Sequence, residues 1–599
     1  MSYKYLALLS GILLSISFPP SYKIDLSFLS FISFLPLLLV LNSSNNYNFI
    51  SFKKKQNFAE TNNENKSLFL VLYLTFLIYH IGVNWWIGSF QKQTDPYLLM
   101  SAILLSIFHP FFFMVPIKIY LTLKKLATDK NLKFKEKIHF LFPFIWVVFE
   151  WLHGETELSY PWITLGYTQI ESINWIQFID ITGIWGASFI ILMINVLIYD
   201  LYSNYIKTND NTFDIKNIIT FFNYKRNTIL ILLFFVLSPF IYSTYQYYNF
   251  KFIIEQTKNV NSNKIDKLNN VKIDKNYINF GVIQPNINPW EKWAGQGMEQ
   301  ISNHLNLQDK CIKTLNNSIN QNDKIDLFIW SETAIPFIDM SVNSNRNIDV
   351  LKQDIVKNKY SLLTGFTDIK IFPYGINKTI TARPYFGESY YEPYNSAMLI
   401  NPKDLDSIST DNFREKNIYQ KMKLTPFAER LPHSELISFA QNWFTWGVGI
   451  SSWGIGTNQK NLIFENNKKT AIIAPIICIE SIYPRFVSNF AELGAEIFVI
   501  ITNDAWYNGT PGPRQHYLIG AARAIENKRF LVRCANSGVS GVISPLGTSI
   551  YEISTQTSSF FKFKVPKIHK LTLYSQYGDW FPFLLILCVL GIYIYLKKN

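Results

Sequence analysis

Apolar runs of about twenty residues recur through the N-terminal third of this chain, and that is the length a helix needs to cross the hydrocarbon core of a bilayer. Seven succeed one another, at about 4–20, 26–42, 67–87, 97–123, 138–153, 176–202 and 228–246. After a long polar interval an eighth, Trp580 to Leu596, runs into Lys597 and Lys598. The first begins at Lys4 as a secretory signal would, but Phe18-Pro19-Pro20 is no small-residue cleavage site, so it reads as a retained anchor. Lysines orient the set. Lys53, Lys54, Lys55 and Lys66 come after the second run, Lys124, Lys125, Lys130, Lys133, Lys135 and Lys137 after the fourth, and Lys207, Lys216, Lys225 and Arg226 after the sixth, whereas the alternate loops hold only Lys23 and Lys92. Cytoplasmic loops collect Lys and Arg. The N-terminus and Lys597-Lys598 are therefore expected in the cytoplasm, and the interval from about 247 to 579 outside the cytoplasmic membrane.

This placement explains the charge balance. The net charge of +13 in 599 residues could signal a nucleic-acid partner, but much of it flanks membrane spans. Charged residues make up 17% and hydrophobic ones 48%, which excludes a disordered chain. Four cysteines, at 311, 478, 534 and 588, form no CxxC or Cys/His spacing, so neither a disulfide scaffold nor a zinc pattern is present.

The interval outside the membrane changes character along its length. Residues 247–276, ending in Asn/Lys-rich sequence without apolar period, are read as a linker between a seven-span domain, 1–246, and a second domain of different composition. In that second domain short runs rich in Ile, Val and Phe recur: Ile278–Ile283, Ile325–Trp330, Leu362–Phe366, Ser396–Ile400, Thr470–Cys478, Glu496–Thr502, Phe530–Ala535 and Val539–Ile543. Helical stretches near 296–319, 345–357, 481–493 and 513–528 alternate with several of them. The pattern predicts an α/β domain over 277–570, before a C-terminal transmembrane helix over 577–599.

Glu332 comes just after one buried strand and Cys478 ends another, and in open α/β sheets ligand crevices form at the C-terminal ends of strands. Lys421 lies in NIYQKMKLTPFAERLP, where a proline breaks the run. A thiol is only a few per cent ionised at neutral pH and needs a base. A carboxylate can take its proton, and an ammonium can stabilise the oxyanion of a tetrahedral intermediate. Taken singly, each residue has a plainer reading: a cysteine in an apolar strand packs as a small hydrophobe, and a lone Glu or Lys lies on the surface.

The surrounding motifs remove that ambiguity. Gln284-Pro285-Asn286 with Trp293, Trp330-Ser331-Glu332-Thr333-Ala334-Ile335-Pro336, Tyr394-Asn395-Ser396, Lys421 through Pro426-Phe427-Ala428-Glu429, Cys478-Ile479-Glu480, Asn503-Asp504-Ala505-Trp506-Tyr507 and Asn536-Ser537-Gly538 occur in that order. Together they resemble the nitrilase superfamily and, within it, the bacterial apolipoprotein N-acyltransferases. Pro161-Trp162, Gly166-Tyr167 and Gln169 resemble that family's outer membrane loop. The resemblance spans nearly the whole chain. It departs from the family at Ile479, where an aromatic residue is usual, at Ser331, where a proline is usual, and at Ala428, where a glycine is usual.

The resemblance implies a polytopic helical membrane domain with a nitrilase-like α-β-β-α sandwich on the periplasmic side of the inner membrane. It assigns Glu332 as general base, Lys421 as oxyanion stabiliser and Cys478 as nucleophile, with Glu429 and Glu480 in support and Trp293, Asn395 and Trp506 toward substrate. It implies a two-step reaction without metal or organic cofactor, carried out by a monomer. A phospholipid acyl chain passes through a Cys478 thioester to the α-amine of an S-diacylglyceryl-cysteine that begins an apolipoprotein. Two other classes compete: a membrane-tethered amide hydrolase and an inactive scaffold or transporter. Among the remaining residues, His516 is a candidate second base, Arg523 and Glu526 are expected to form a local ion pair, and residues 367–393 and 431–469 are candidate lids.

Overall fold

Every apolar run read from the sequence carries helix, but not every run is one membrane-length helix. The computed structural model describes residues 3–19, 25–43, 60–89, 96–208, 224–262, 277–292, 297–316, 324–338, 346–426, 428–430, 433 and 453–598. Trp293 and most of the 431–469 segment lie outside these residues. The chain divides into two units, one of Met1–Gly88, Met100–Gln246 and Asp579–Asn599, the other of Ser89–Leu99 and Tyr247–Gly578.

The helices of the first unit are α1 Tyr3–Ser17, α2 Leu35–Ser43, α3 Glu60–Asn84, α4 Pro96–Asp129, α5 Phe142–Gly154, α6 Ile184–Thr208, α7 Arg226–Asn261 and a last helix Trp580–Lys598, with the first four residues of α4 and the part of α7 from Tyr247 onward belonging to the second unit. Among the described residues five helices are long and apolar enough to cross a bilayer: Leu68–Gly88, Leu98–Asp129, Ile184–Ile206, Arg226–Asn261 and Trp580–Lys598. The expected runs at 4–20 and 26–42 form the shorter apolar helices Lys4–Ser17 and Ser27–Asn42. The expected run at 138–153 is a 3-10 turn leading into the 13-residue α5, whose Pro143 suits only a first helical turn. The run at 176–202 breaks at Gly183, whose φ of 66° favours glycine, and α6 starts one residue later.

Several polar groups buried in this unit are paired within it, as the absence of water in a bilayer core favours. His80 bonds the Phe76 carbonyl at 2.7 Å and His109 at 2.7 Å, and His109 bonds His153 at 2.7 Å, so one imidazole from each of three helices forms a chain. Asp579 accepts from the indoles of Trp151 at 3.1 Å and Trp185 at 2.8 Å. Gln169 donates to the Ser27 carbonyl at 2.7 Å and the Ser30 hydroxyl at 2.8 Å, closing the loop of Pro161-Trp162 and Gly166.

The second unit is two packed sheets. The first has the order β14-β1-β2-β4-β6-β5, with β3 on β4 and β7 on β6; the second runs β13-β12-β11-β10-β9-β8. Their strands are β1 Tyr277–Gln284, β2 Leu327–Ile329, β3 Ile335–Ile338, β4 Ser361–Phe372, β5 Arg383–Pro384, β6 Tyr390–Ile400, β7 Ile418–Gln420, β8 Leu462–Glu465, β9 Thr470–Ile477, β10 Ile497–Thr502, β11 Leu531–Ala535, β12 Ser540–Ile543, β13 Ser549–Ile553 and β14 Ser559–Pro566. Helices α8 (Met298–Asn316) and α9 (Arg346–Asn358) cover the first sheet through Ile301, Cys311, Leu351 and Ile355, packed with Trp330 and Leu362. Helices α11 (Pro484–Glu492) and α12 (Gly512–Asn527) lie against the second, after the short α10 (Asp411–Asn417). Cys534 on β11 touches the Ile283 and Ile329 carbonyls at 3.2 and 3.4 Å, so β11 packs against β1 and β2. The unit is the expected α-β-β-α sandwich. All four cysteines of the chain are free.

The central strands run parallel within each sheet, β1-β2-β4 and β9-β10-β11, so their C-terminal ends emerge on one side. Those ends meet across the sheets. The Asn286 amide donates to the Asn536 carbonyl at 2.7 Å, and the Asn536 amide to the Thr502 carbonyl at 3.0 Å. The segment expected to be a linker begins later than its composition suggests, because α7 continues to Asn261. There the Asn261 side chain takes both backbone bonds of Lys564 on β14, at 2.7 and 3.0 Å, pinning a polar helix end that has no apolar period.

Candidate active site

Two turns at this strand-end rim are forced into left-handed backbone. Thr333 has φ of 47° and Cys478 φ of 49°, conformations that cost a residue with a Cβ about 1 kcal/mol or more unless neighbours fix them. The first turn is made possible by Gly365 on β4, where a Cβ would fall 2.5 Å from the Thr333 nitrogen and 2.7 Å from the Glu332 Cα. The turn carries Glu332 between β2 and β3. The second turn ends β9 and presents Cys478, partly exposed, at the head of a 3-10 helix, Cys478–Ile482.

Glu332 is 6% exposed, yet its hydrogen-bond partners all favour its ionised form. Its Oε1 accepts from Lys421 Nζ at 3.1 Å and from Asn395 Nδ2 at 2.7 Å, and its Oε2 from the Asn503 amide at 2.9 Å. Burial opposes charge here, but Lys421, Asn395 and Lys292 outweigh it and hold the carboxyl below its ordinary value. Lys421, 1% exposed, also reaches Glu429 Oε1 at 2.9 Å. Burial pulls its ammonium down, but Glu332 and Glu429 overcome that and raise it well above the usual lysine value. Asn395 bridges the two carboxylates, at 2.7 and 2.9 Å. Both of these bonds come from its Nδ2.

Cys478 lies within the electrostatic reach of this pair. Burial and the Glu332 charge push its thiol up, with Lys421 and a bond to Thr502 opposing. These influences favour the protonated form of the Cys478 thiol and the ionised form of the neighbouring Glu332 carboxyl.

Glu480 sits behind the lysine loop. Its Oε1 accepts from the Tyr419 hydroxyl at 2.6 Å and the Met422 amide at 2.7 Å, and its Oε2 from the Ile477 amide at 2.8 Å, so it ties β7, the Lys421 loop and the Cys478 turn together. Burial raises its carboxyl to about 7 despite those bonds. Glu429 Oε2 accepts the Thr425 amide at 2.8 Å, closing the loop that carries Lys421.

Behind Cys478, where the sequence singled out only His516 as a candidate second base, Asp504, His516 and Arg533 form one buried network. His516 Nδ1 lies 2.9 Å from Asp504 Oδ1 and 3.0 Å from Arg533 Nη2, and Arg533 Nη2 lies 2.7 Å from Asp504 Oδ2. His516 Nε2 faces Ser481 Oγ at 2.8 Å and the Cys478 carbonyl at 3.2 Å. Ligand atoms of Cys478, Asp504 and His516 fall within 4.8 Å of one another, a spacing that could hold a metal ion, but the Arg533 guanidinium already occupies the cation position beside Asp504. Burial and Arg533 lower the imidazole below its ordinary value. Both ring nitrogens being engaged, His516 reads as a support for the cysteine turn. Arg523 and Glu526 form their local pair at 2.9 Å, fully buried. Trp506 meets Trp290 edge to face at 5.4 Å.

Two family models match the chain: apolipoprotein N-acyltransferase N-terminal domain over residues 10–197 and carbon-nitrogen hydrolase over residues 281–559. Apolipoprotein N-acyltransferase of Chlorobaculum tepidum is 28% identical over 580 residues, covering 96% of this chain and 93% of its own. Apolipoprotein N-acyltransferase 2 of Treponema denticola is 28% identical over 465 residues, 77% of each chain. Among solved structures, a Saccharomyces cerevisiae member of branch 10 of the nitrilase superfamily covers 49% of this chain and 92% of its own, at 14% identity and a TM-score of 0.33. The fold assignment rests on the strand order and the carbon-nitrogen hydrolase match.

Proposed function

Because the chain belongs to the apolipoprotein N-acyltransferase family of the nitrilase superfamily, we propose that it is a membrane acyltransferase of lipoprotein N-acylation working through Glu332, Lys421 and Cys478. The observation that carries the reading is one buried ion pair, Lys421 on Glu332 at 3.1 Å, beside a cysteine on a strained strand-end turn.

The proposed reaction has two halves. The Cys478 thiol gives its proton to Glu332 as sulfur attacks the ester carbonyl of a phospholipid, and Lys421 stabilises the oxyanion. The tetrahedral intermediate collapses to a thioester, and Glu332 returns the proton to the departing lysophospholipid alkoxide. In the second half the α-amine of a diacylglyceryl-cysteine attacks the thioester, Glu332 takes the amine's proton, and the Cys478 sulfur leaves and is reprotonated. Membrane helices concentrate the donor around such a domain, which a soluble amidase would not need. The helix set supports a multi-pass membrane protein; the lysine distribution supports the inner membrane and the periplasmic side.

Incubating the purified protein with phospholipid and a diacylated lipopeptide tests this. N-acylated peptide supports transfer, and free fatty acid without acylated peptide supports hydrolysis instead. A thiol–imidazole pair is the second reading, favoured by Cys478, Asp504 and His516 lying within 4.8 Å. Under it, His516→Gln would abolish acylation and Glu332→Gln would not.

A further inference from the structure

A second lysine lies against Glu332, and the proposed chemistry does not use it. Lys292 is 2% exposed, on the turn after β1. Its backbone is held at both ends: the amide donates to the Asn288 carbonyl at 3.1 Å, and the carbonyl accepts from Gln300 of α8. Its ammonium donates to the backbone carbonyl of Glu332 at 2.8 Å and to the hydroxyl of Thr333 at 2.6 Å. These are the two residues of the turn, left-handed at Thr333, that carries the carboxylate between β2 and β3.

Burying an ammonium is costly, and a neutral donor of similar length could satisfy one carbonyl and one hydroxyl. A charge is retained where electrostatics needs it. Lys421 alone faces two carboxylates, Glu332 and Glu429, which leaves that cluster one negative charge in excess. Lys292, whose ammonium burial lowers to about 8 against the opposing pull of Glu332, supplies the balancing positive charge from the backbone side of Glu332, and its field favours the ionised carboxylate. Among the described residues His304 on α8 also faces it, its ring bonding the Gln300 carbonyl at 2.7 Å.

We propose that Lys292 is a positioning residue of the acylation step: it clamps the strained Glu332–Thr333 turn and supplies the second positive charge that balances the site. The proposal rests on Glu332 being the base. It is tested on the full-length protein in detergent or vesicles, by the rate of covalent acylation from phospholipid as a function of lipid concentration. Lys292→Met is expected to lower kcat for acylation by at least about tenfold with KM unchanged, because geometry at the base is lost and lipid contact is not. Thr333→Val, which removes one partner of the clamp, is expected to lower kcat by a smaller factor. The double variant should then fall short of the product of the two effects, since both act through one contact. A Lys292→Met enzyme with wild-type kcat, or two effects that multiply, would overturn the proposal. Should Lys292→Met fail to fold, Lys292→Arg carries the test: lower kcat at constant KM supports the clamp, and unchanged kcat refutes it. Glu332→Gln separates the two levels. If it retains acylation, the base assignment fails; if it is inactive while Lys292→Met is unimpaired, only the clamp does.

Discussion

Lys421 Nζ lies 3.1 Å from Glu332 Oε1 in a site where the two side chains are 1% and 8% exposed. At that burial each charge depends on the other, since an unpaired charge would bear its desolvation cost without return. Lys421→Met therefore leaves Glu332 and Glu429 without their cation. We expect acylation to fall by about 10²- to 10³-fold and stability by about 3–5 kcal/mol. Thermal unfolding and acyl-enzyme formation on the same preparation measure both, and a stable variant of normal rate would remove Lys421 from the site.

Gly365 makes room for the turn that carries Glu332, with a Cβ there falling 2.5 Å from the Thr333 nitrogen. Because that neighbour is backbone, Gly365→Ala must move the turn. The expected result is a loss of acylation of about tenfold or more, far larger than any change in lipid KM. An active Gly365→Ala enzyme would show that the turn tolerates displacement.

Glu480 contributes a pH dependence of definite sign. Burial raises its carboxyl to about 7, above the value of roughly 4.3 in an unfolded chain. Between those values the folded protein holds a proton that the unfolded chain has released, so this group makes stability fall as pH rises from about 4 to 7 and adds nothing further above that. Glu480→Gln should flatten the decline in melting temperature over this interval. An identical slope in the variant would show that Glu480 does not titrate there.

His516 bonds the Cys478 carbonyl rather than offering a free nitrogen to sulfur. His516→Gln keeps a donor near that carbonyl and is expected to acylate within about tenfold of wild type, while Glu332→Gln, which removes the proton acceptor, does not acylate. Rates from a single-turnover assay at pH 7 decide between them, and the reverse order would favour the imidazole as base.

Much of this was readable from residues alone, and the limits have physical causes. Glu332 and Cys478 stood out because each ends a buried apolar strand, the place where α/β sheets expose side chains. Lys421 carried no such mark; its strand, β7, is three residues long, too short for a period to appear, and only the surrounding motifs pointed to it. Lys292 gave no signal, since a lysine in a turn is ordinarily solvated, and what buries it are contacts to α8 and the Glu332 turn. Strand β14 escaped because Lys562 and Lys564 interrupt its apolar residues, an alternation typical of a strand with one wetter face. Hydropathy does not register Gly183 or Pro143, so the apolar runs at 176–202 and 138–153 read as continuous where the described chain divides into shorter helical pieces.

The central claim is that the Cys478 sulfur carries a lipid-derived acyl chain. Intact-protein mass spectrometry after incubation with a phospholipid of defined acyl composition measures it directly. A mass increment of one fatty acyl group, removed by neutral hydroxylamine and absent from Cys478→Ala, is the predicted result. No increment in the wild type while lipopeptide is still N-acylated, or an increment that persists in Cys478→Ala, would contradict it.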